Sequence, residues 1–286
     1  MQICQTKSCK NLNERPIMLI DTHCHIPMII DDNINKPFTQ YDYEKAEQII
    51  ADASHADVKI LVTIGSTSHH ESINCSLLSN HFDLVFASVG LFPHDCTATW
   101  TDDLNELVPL IKNNNKIVAI GECGLDYHYP DYIAERQKDS FKAQIELALE
   151  HDRAIIIHTR DAADDTLKII DEYKNERPRG VFHCFSEDLN FAQYVISLGF
   201  YIGIPGTITY PKNDRLREIV RAVGLDHIVL ETDSPYLPPQ HMRGKKNYPS
   251  EVATIARYIA ELLAIDLAEV SRRTTANATK LFRLNS

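Results

Sequence analysis

The sequence predicts a (β/α)8 barrel, an α/β fold of parallel strands alternating with helices, carrying an extra C-terminal helix. Eight short apolar runs recur between residues 18 and 235, with little polar alternation inside each run, and helical stretches separate most of them. Continuous apolar runs are typical of parallel strands that are buried on both faces. Eight strand–helix units over about 250 residues match the size of a closed barrel.

The predicted strands are rich in Val, Ile and Leu, which favour buried β structure. They are Met18–His25, Lys59–Gly65, Leu84–Gly90, Ile117–Glu122, Ala154–His158, Gly180–Phe185, Phe200–Ile204 and Ile228–Asp233. An open, doubly wound sheet is the alternative arrangement. Such a sheet usually carries a glycine-rich phosphate loop after its first strand, and the Asp21–His25 turn contains no glycine.

The predicted helices begin and end near the strands that flank them. In the clearest, Tyr132–Asp152, apolar residues recur near helical spacing. The others are Asp161–Tyr173, Asp188–Leu198, Asn213–Val223, Ser250–Leu263 and Leu267–Phe282. Asp161, Asp188 and Asn213 stand at helix starts, where such side chains cap free N–H groups and suit the helix dipole.

The composition is that of one globular domain. Hydrophobic residues make up 44% of the 286 and charged residues 24%. No linker rich in Gly, Ser or Pro divides the chain, so we predict a single domain over residues 18–286 behind a flexible leader, residues 1–17. Lys and Arg total 29 against 40 Asp and Glu, a net charge of −11. This excludes nucleic-acid binding through overall charge but not through a local basic patch.

The chain also lacks signals for export or membrane insertion. Apolar runs such as Ala154–Ile157 fall far short of the ~20 residues that a membrane helix needs. Residues 1–17 contain no apolar core of the kind a signal peptide has. The seven cysteines have no regular spacing, which indicates buried thiols in a reducing compartment. We therefore predict a cytoplasmic monomer without a membrane partner.

Side chains that can bind metal cluster where five of the predicted strands end. An H-x-H pair in a strand places both imidazoles on one side, because side chains repeat every two residues. The candidate ligands are His23, His25, Glu122, His158, His183 and Asp233. The carboxyl ends of barrel strands share one face, where active sites form. So many unpaired ionisable groups there would cost several kcal/mol, which a bound divalent metal removes.

Six ligands are more than one hydrolytic ion needs. A catalytic zinc usually takes three protein ligands and leaves a position for water. The set therefore favours two divalent ions that share a bridging group, for which Glu122 is the candidate because its strand is central in order. Zn²⁺, Mg²⁺ and Mn²⁺ are the candidate ions, and mixed imidazole and carboxylate ligands favour transition metals in affinity.

Five segments together resemble, in order and spacing, the signatures of the TatD family of metal-dependent deoxyribonucleases. They are Asp21–His25, Gly121–Tyr127, His158–Ala162, His183–Phe185 and Glu231–Leu237. The resemblance runs from about Met18 to Phe282 and implies a barrel of the amidohydrolase kind. It also implies an enzyme that removes nucleotides from DNA ends or single strands with 3′ to 5′ polarity.

The resemblance implies a role for each ligand. The first metal would take His23 and His25, the second His158 and His183, with Glu122 between them, and Asp233 would bind metal and accept the proton of the attacking water. The implied catalytic residues are therefore Glu122 and Asp233. The implied chemistry is a water, activated by two metal ions, attacking a DNA phosphodiester.

Four side chains are predicted to contact substrate. Arg160 suits a phosphate, although an ion pair with Asp161 or Asp164 is an equal alternative. His94 is kept from the family's Gly-x-His-Pro-His segment, but Phe92 stands where a histidine is usual. Arg243 and Lys245 follow the last strand in a basic loop, His241–Pro249, which has one inserted Met and a Tyr in place of a family Glu.

Two other functions are weighed against DNA hydrolysis. An amidohydrolase acting on a small amide, lactone or dipeptide would often carry a lysine at the end of the fourth strand, where this chain has Gly121-Glu122-Cys123. A neutral substrate also gives no reason for Arg243, Lys245 and Lys246, unless they form a merely solvated loop. A non-enzymatic metal-binding protein would be expected to lose a ligand, and all six are present.

Overall fold

The computed structural model describes residues 17–284, which form an eight-stranded barrel. The strands lie side by side in chain order and every pairing is parallel. They are β1 (Leu19–Cys24), β2 (Val58–Gly65), β3 (Val85–Val89), β4 (Ile117–Asp126), β5 (Ala154–Arg160), β6 (Gly180–Phe182), β7 (Tyr201–Ile204) and β8 (Ile228–Leu230). The predicted barrel is confirmed, and the open-sheet alternative, which reverses strand order at its centre, is wrong.

Three predicted strand ends are wrong by three residues or more. β4 continues four residues past Glu122, to Asp126, and pairs with β5 along that extension. β6 and β8 end early, so His183 and Asp233 lie in the loops that follow them. Cys184 has φ of 45° and Asp233 has φ of 55°, left-handed values that a strand cannot contain. The conformation of the loop backbone, rather than the pleat of a strand, therefore orients the side chains of His183 and Asp233.

Helices surround the barrel between residues 17 and 284. They are α1 (Ile26–Ile30), α2 (Gln40–His55), α3 (His69–His81), α4 (Trp100–Asn113), α5 (Ala134–Glu150), α6 (Ala163–Glu172), α7 (Leu189–Ser197), α8 (Asp214–Val223), α9 (Val252–Leu263) and α10 (Leu267–Phe282). The predicted extra helix is α10, which contacts both β1 and β8. The periodicity of the sequence predicts the bounds of the helices only from α5 onward. In α3 the reason is plain, since its buried face includes the polar residues Ser72, Asn74 and Ser76.

Of the three predicted helix caps, one is confirmed in full. The Asp188 side chain accepts from the Phe191 N–H at the start of α7. Asp161 was the wrong residue for α6, whose N-cap is Ala162, and the Asp161 carboxylate lies 2.8 Å from His128 Nδ1 instead. Asn213 is the N-cap residue of α8 but makes no side-chain capping bond.

The barrel closes between β1 and the segment that follows β8. The buried Asp21 carboxylate accepts from Thr232 N–H at 3.0 Å and from Thr232 Oγ1 at 2.6 Å. The backbone N–H of His25 donates to the Ser234 carbonyl at 2.7 Å. Thr22 Oγ1 donates to the Leu230 carbonyl, 208 residues away in sequence. These bonds join β1 to β8 and to the segment after it, at the same end where the predicted ligands lie.

Several sequence predictions concern segments outside the sheet. The flexible leader predicted for residues 1–17 lies outside the described residues apart from Ile17. Among the helices that the structure describes, none is long and apolar enough to cross a membrane. Of the five cysteines between residues 17 and 284, all are free and four are buried, as predicted. The cytoplasmic location and the monomeric state stay predictions.

Candidate metal centre

The structure brings all six predicted ligands together at the carboxyl end of the barrel. Five of them line one cavity of about 640 Å³, and all but His158 and Asp233 are fully buried. We call this cluster the metal centre: His23, His25, Glu122, His158, His183 and Asp233. It draws on β1, β4 and β5 and on the loops that follow β6 and β8.

One half of the metal centre lies at the end of β1, where His23 belongs to the strand and His25 follows it directly. His23 Nε2 and His25 Nε2 lie 3.2 Å apart, so the H-x-H spacing does turn both rings to one side. Asp233 Oδ1 lies 3.6 Å from His23 Nε2 and 3.5 Å from His25 Nε2. One ligand atom from each of these three residues falls within 4.8 Å of the others, a spacing that suits one ion.

Glu122 lies between that half and the other. Its Oε2 is 3.4 Å from His23 Nε2, and its Oε1 is 2.7 Å from His183 Nε2 and 2.8 Å from His158 Nδ1. His158 Nδ1 and His183 Nε2 lie 3.1 Å apart. Each carboxylate oxygen of Glu122 therefore faces ring nitrogens on a different side, as a group shared by two ions would.

The donor chemistry of the metal centre fits divalent ions. Burial and the neighbouring His183 lower the pKa of His23 to about 4, so this imidazole is neutral and offers a lone pair. Although burial alone opposes ionisation of Glu122, the surrounding histidines hold its pKa well below the usual range. Imidazole nitrogens and ionised carboxylates that converge in a buried pocket are the ligands that zinc, manganese and related ions prefer.

Three of the histidines each contact a further carboxylate that the sequence analysis did not single out. Glu71 Oε1 lies 3.7 Å from His25 Nδ1, Asp126 Oδ2 lies 3.2 Å from His158 Nε2, and Glu231 Oε1 lies 4.0 Å from His183 Nδ1. Each faces the ring nitrogen that points away from the metal centre. Carboxylates in this position fix the tautomer and orientation of a metal-binding imidazole.

A spacing signal in the sequence could have found two of these three carboxylates. Asp126 and Glu231 stand four and two residues from ligands, a spacing that places them on the same strand face when the strand is long enough. Glu71 had no such signal, because Ser68-x-x-Glu71 is typical of a helix N-terminus. The structure confirms that capping role, as Ser68 Oγ accepts from Glu71 N–H, while the Glu71 carboxylate turns inward.

We expect Glu71→Gln to weaken metal binding by about ten- to a hundredfold. Glu71 is fully buried, and its Oε2 accepts the N–H groups of Ser66 and Thr67. The amide keeps that shape but loses the charge that holds His25 Nδ1–H. Titration calorimetry of metal-depleted protein measures the change. Glu106→Gln is the matched control, since Glu106 pairs with His69, which is no ligand. Equal affinity in the two variants would contradict the assigned role.

The predicted substrate contacts take up different positions around the cavity. Arg160 lines it, 5.5 Å from the Tyr129 ring centroid, and no carboxylate lies within 4.0 Å of it among residues 17–284, so the ion-pair alternative is absent. Phe92 also lines it, with its ring centroid 4.9 Å from that of His158. His94 lies further back, 3.5 Å from Asp126.

The basic loop after β8 does not act as one surface. Arg243 lines a second cavity, Lys245 is exposed, and Lys246 Nζ donates to the Ile29 carbonyl at 3.2 Å. Buried Asn247, which sequence reasoning did not single out, anchors the loop by donating to the Thr232 carbonyl at 2.9 Å. Gly244 has φ of +85°, a left-handed value that glycine adopts readily because it has no side chain. The glycine therefore serves the turn itself.

Four imidazoles and two carboxylates lie together at the strand ends of this (β/α)8 barrel. This arrangement defines the class of metal-binding barrel hydrolases. The sequence model of TatD related DNases matches residues 20–283. The chain therefore belongs to the TatD family, and it is a metal-dependent hydrolase of that family.

Individual relatives agree over nearly the whole chain. The uncharacterised metal-dependent hydrolase YcfH of Escherichia coli K12 is 34% identical over 94% of this chain and 97% of its own length. A protein of Pectobacterium carotovorum named 3′-5′ ssDNA/RNA exonuclease TatD is 30% identical over 90% of this chain and 100% of its own. The crystal structure of YjjV, a TatD homologue from Escherichia coli K12, superposes with a TM-score of 0.83 at 28% identity. The superposition covers 93% of this chain and 98% of YjjV.

Proposed function

We propose that this protein hydrolyses DNA phosphodiester bonds with two divalent ions and removes nucleotides from 3′ ends of single strands. The observation that carries the proposal is Glu122, whose two oxygens face separate groups of histidines at the base of a cavity bordered by the unpaired Arg160. Two ions sharing a carboxylate suit in-line displacement at phosphorus. The name of the Pectobacterium relative supports both the substrate and the polarity.

The mechanism assigns each part of the reaction to a group in the cavity. His23, His25 and Asp233 would hold one ion and His158 and His183 the other, with Glu122 between them. When bound, the ions would supply Lewis acidity, which would lower the pKa of water so that hydroxide is available at neutral pH and would offset the charge of the phosphate.

Asp233 is the proposed acceptor of the water's proton. Hydrogen bonding to His25, together with His23 and His183 nearby, outweighs burial and lowers the Asp233 pKa, so the carboxylate is ionised at neutral pH. Arg160 projects from the end of β5 into the same cavity, where its guanidinium can hold two phosphate oxygens at once. Tyr129 packs against it and limits its rotamers.

The cavity favours a strand end over a duplex. Its volume of about 640 Å³ is that of a small-ligand pocket, and the exposed rings of Tyr129 and Tyr236 stand at its border. Unpaired bases stack on such rings, whereas bases within a duplex are already stacked on each other. The substrate is therefore proposed to enter as a single-stranded terminus.

The test is a panel of substrates given to the metal-loaded protein. Single-stranded DNA labelled at its 5′ end should give a ladder of progressively shorter labelled products, which reports removal from the 3′ end. Duplex DNA should be cut more slowly, and RNA measures sugar selectivity. Turnover of dipeptides, amides or lactones without any of DNA would overturn the proposal in favour of the amidohydrolase alternative.

A further inference from the structure

A second cavity adjoins the metal centre and has no role in the mechanism above. Its volume is about 710 Å³, within the range of ligand sites. We call it the distal groove and define it by Ser186, Tyr210, Lys212, Arg215, Leu237 and Arg243. Ser186, Leu237 and the neighbouring Cys184 also line the metal cavity, so the two cavities adjoin.

The distal groove is positively charged in a protein that is strongly acidic overall. Lys212, Arg215 and Arg243 line it, against one lining carboxylate, Glu187. Between residues 17 and 284, no carboxylate lies within 4.0 Å of any of the three cations. With Asp and Glu outnumbering Lys and Arg by 40 to 29, three unpaired cations in one cavity are positioned to meet an anion from outside the chain.

The walls of the distal groove are held in place. Arg217, buried beneath the β7–α8 loop, donates to the carbonyls of Ile208, Tyr210 and Pro211. On the opposite wall the Arg243 guanidinium lies 4.9 Å from the Tyr210 ring centroid, a cation–π contact that limits its freedom. The loop backbone leading to Lys212 and the Arg243 guanidinium are therefore held in place before an anion binds, which lowers the entropic cost of binding.

We propose that the distal groove binds the phosphodiester backbone of the substrate strand beyond the scissile bond, with Lys212, Arg215 and Arg243 contacting its phosphates. The inference rests on the proposed function. It adds a binding site that holds a polyanionic chain and that a single small phosphodiester leaves empty. Arg215 and Lys212 are the new residues, since sequence reasoning singled out only Arg243.

The test compares Lys212→Gln and Arg215→Gln with Arg221→Gln. All three cations are exposed, so none of the changes disturbs the core, and Arg221 lies at the far end of the same helix α8. Each groove variant should raise KM for a single-stranded oligonucleotide about three- to tenfold and flatten the salt dependence of log K by ~0.7. Turnover of bis(p-nitrophenyl) phosphate should be unchanged in every variant, as should oligonucleotide KM in Arg221→Gln.

Each result separates the groove from the proposed function. If Arg215→Gln cleaves the oligonucleotide with the same KM and salt slope as the parent, the proposed role of the distal groove is overturned. The proposed function is then unaffected. Equal losses on the oligonucleotide and on bis(p-nitrophenyl) phosphate would also overturn the role of the groove, because the residue would then support the metal centre. No cleavage of any oligonucleotide by the parent overturns the proposed function and the groove with it. Competition by inorganic phosphate as strong as by the oligonucleotide would mean a free-phosphate site instead of a strand site.

Discussion

Glu122→Ala and Asp233→Asn are each expected to lower hydrolysis by at least about a hundredfold, while the barrel stays folded. The first change removes the carboxylate that both halves of the metal centre face, at 2.7 Å from His183 and 3.4 Å from His23. The second keeps the shape of Asp233 but removes its capacity to take a proton. Steady-state turnover at saturating metal measures both effects.

A matched variant separates lost chemistry from lost structure. Glu122 is only 4% exposed, so its truncation leaves buried histidines without their partner. Glu122→Gln preserves the volume and should fold as the parent does, by circular dichroism and thermal melting, while remaining inactive. Either Glu122→Ala or Asp233→Asn retaining more than about a tenth of the parent's turnover would contradict the roles assigned to the two carboxylates.

Removal of divalent metal is expected to abolish activity, and Mn²⁺, Mg²⁺ or Zn²⁺ should restore it. A site with four imidazoles binds transition metals with higher affinity than Mg²⁺. The purified protein is therefore expected to carry a transition metal such as Zn²⁺. Elemental analysis before and after dialysis against EDTA gives the identity and the number of ions. Full activity in excess EDTA, with no metal bound, would refute metal dependence of this reaction.

Metal affinity is expected to rise with pH. Burial alone favours neutral histidines, but hydrogen bonding to Asp233 and Glu71 raises the pKa of His25 to about 10, and contacts with Asp126 and Glu122 raise that of His158 to about 9. Both imidazoles therefore carry protons at neutral pH when no ion is bound. Since an ion needs their lone pairs, its binding releases protons, and affinity should climb until pH passes these values. Calorimetry in buffers of different ionisation enthalpy counts the released protons.

Local sequence patterns predicted the barrel and the residues that meet at its carboxyl end. The apolar runs fixed the number of strands, and parallel topology then brings every strand end to one face. That is why His158, at the end of one run, could be placed beside Glu122, at the end of another, without knowledge of the loops. The outcome depends on strand order alone, which tolerates errors of a few residues in each strand.

Features that depend on side-chain direction or on loop conformation could not be predicted in this way. Glu71 belongs to a helix start whose pattern explains it fully without reference to His25, and only the packing of α3 against the barrel brings the two together. Lys212 and Arg215 look like ordinary surface cations in sequence. Their position beside Arg243 follows from the fold of the β7–α8 loop, which Arg217 holds through three backbone carbonyls.

The closure of the barrel between β1 and the segment after β8 also governs when the protein becomes competent during its own synthesis. During synthesis His23 and His25 leave the ribosome well before Asp233 and its neighbours Thr232 and Ser234. A nascent or truncated chain that stops before them has neither the last ligand nor the bonds that seal the barrel. Because domains fold as their residues emerge, a nascent chain is expected to gain a complete metal centre only once these residues have left the ribosome.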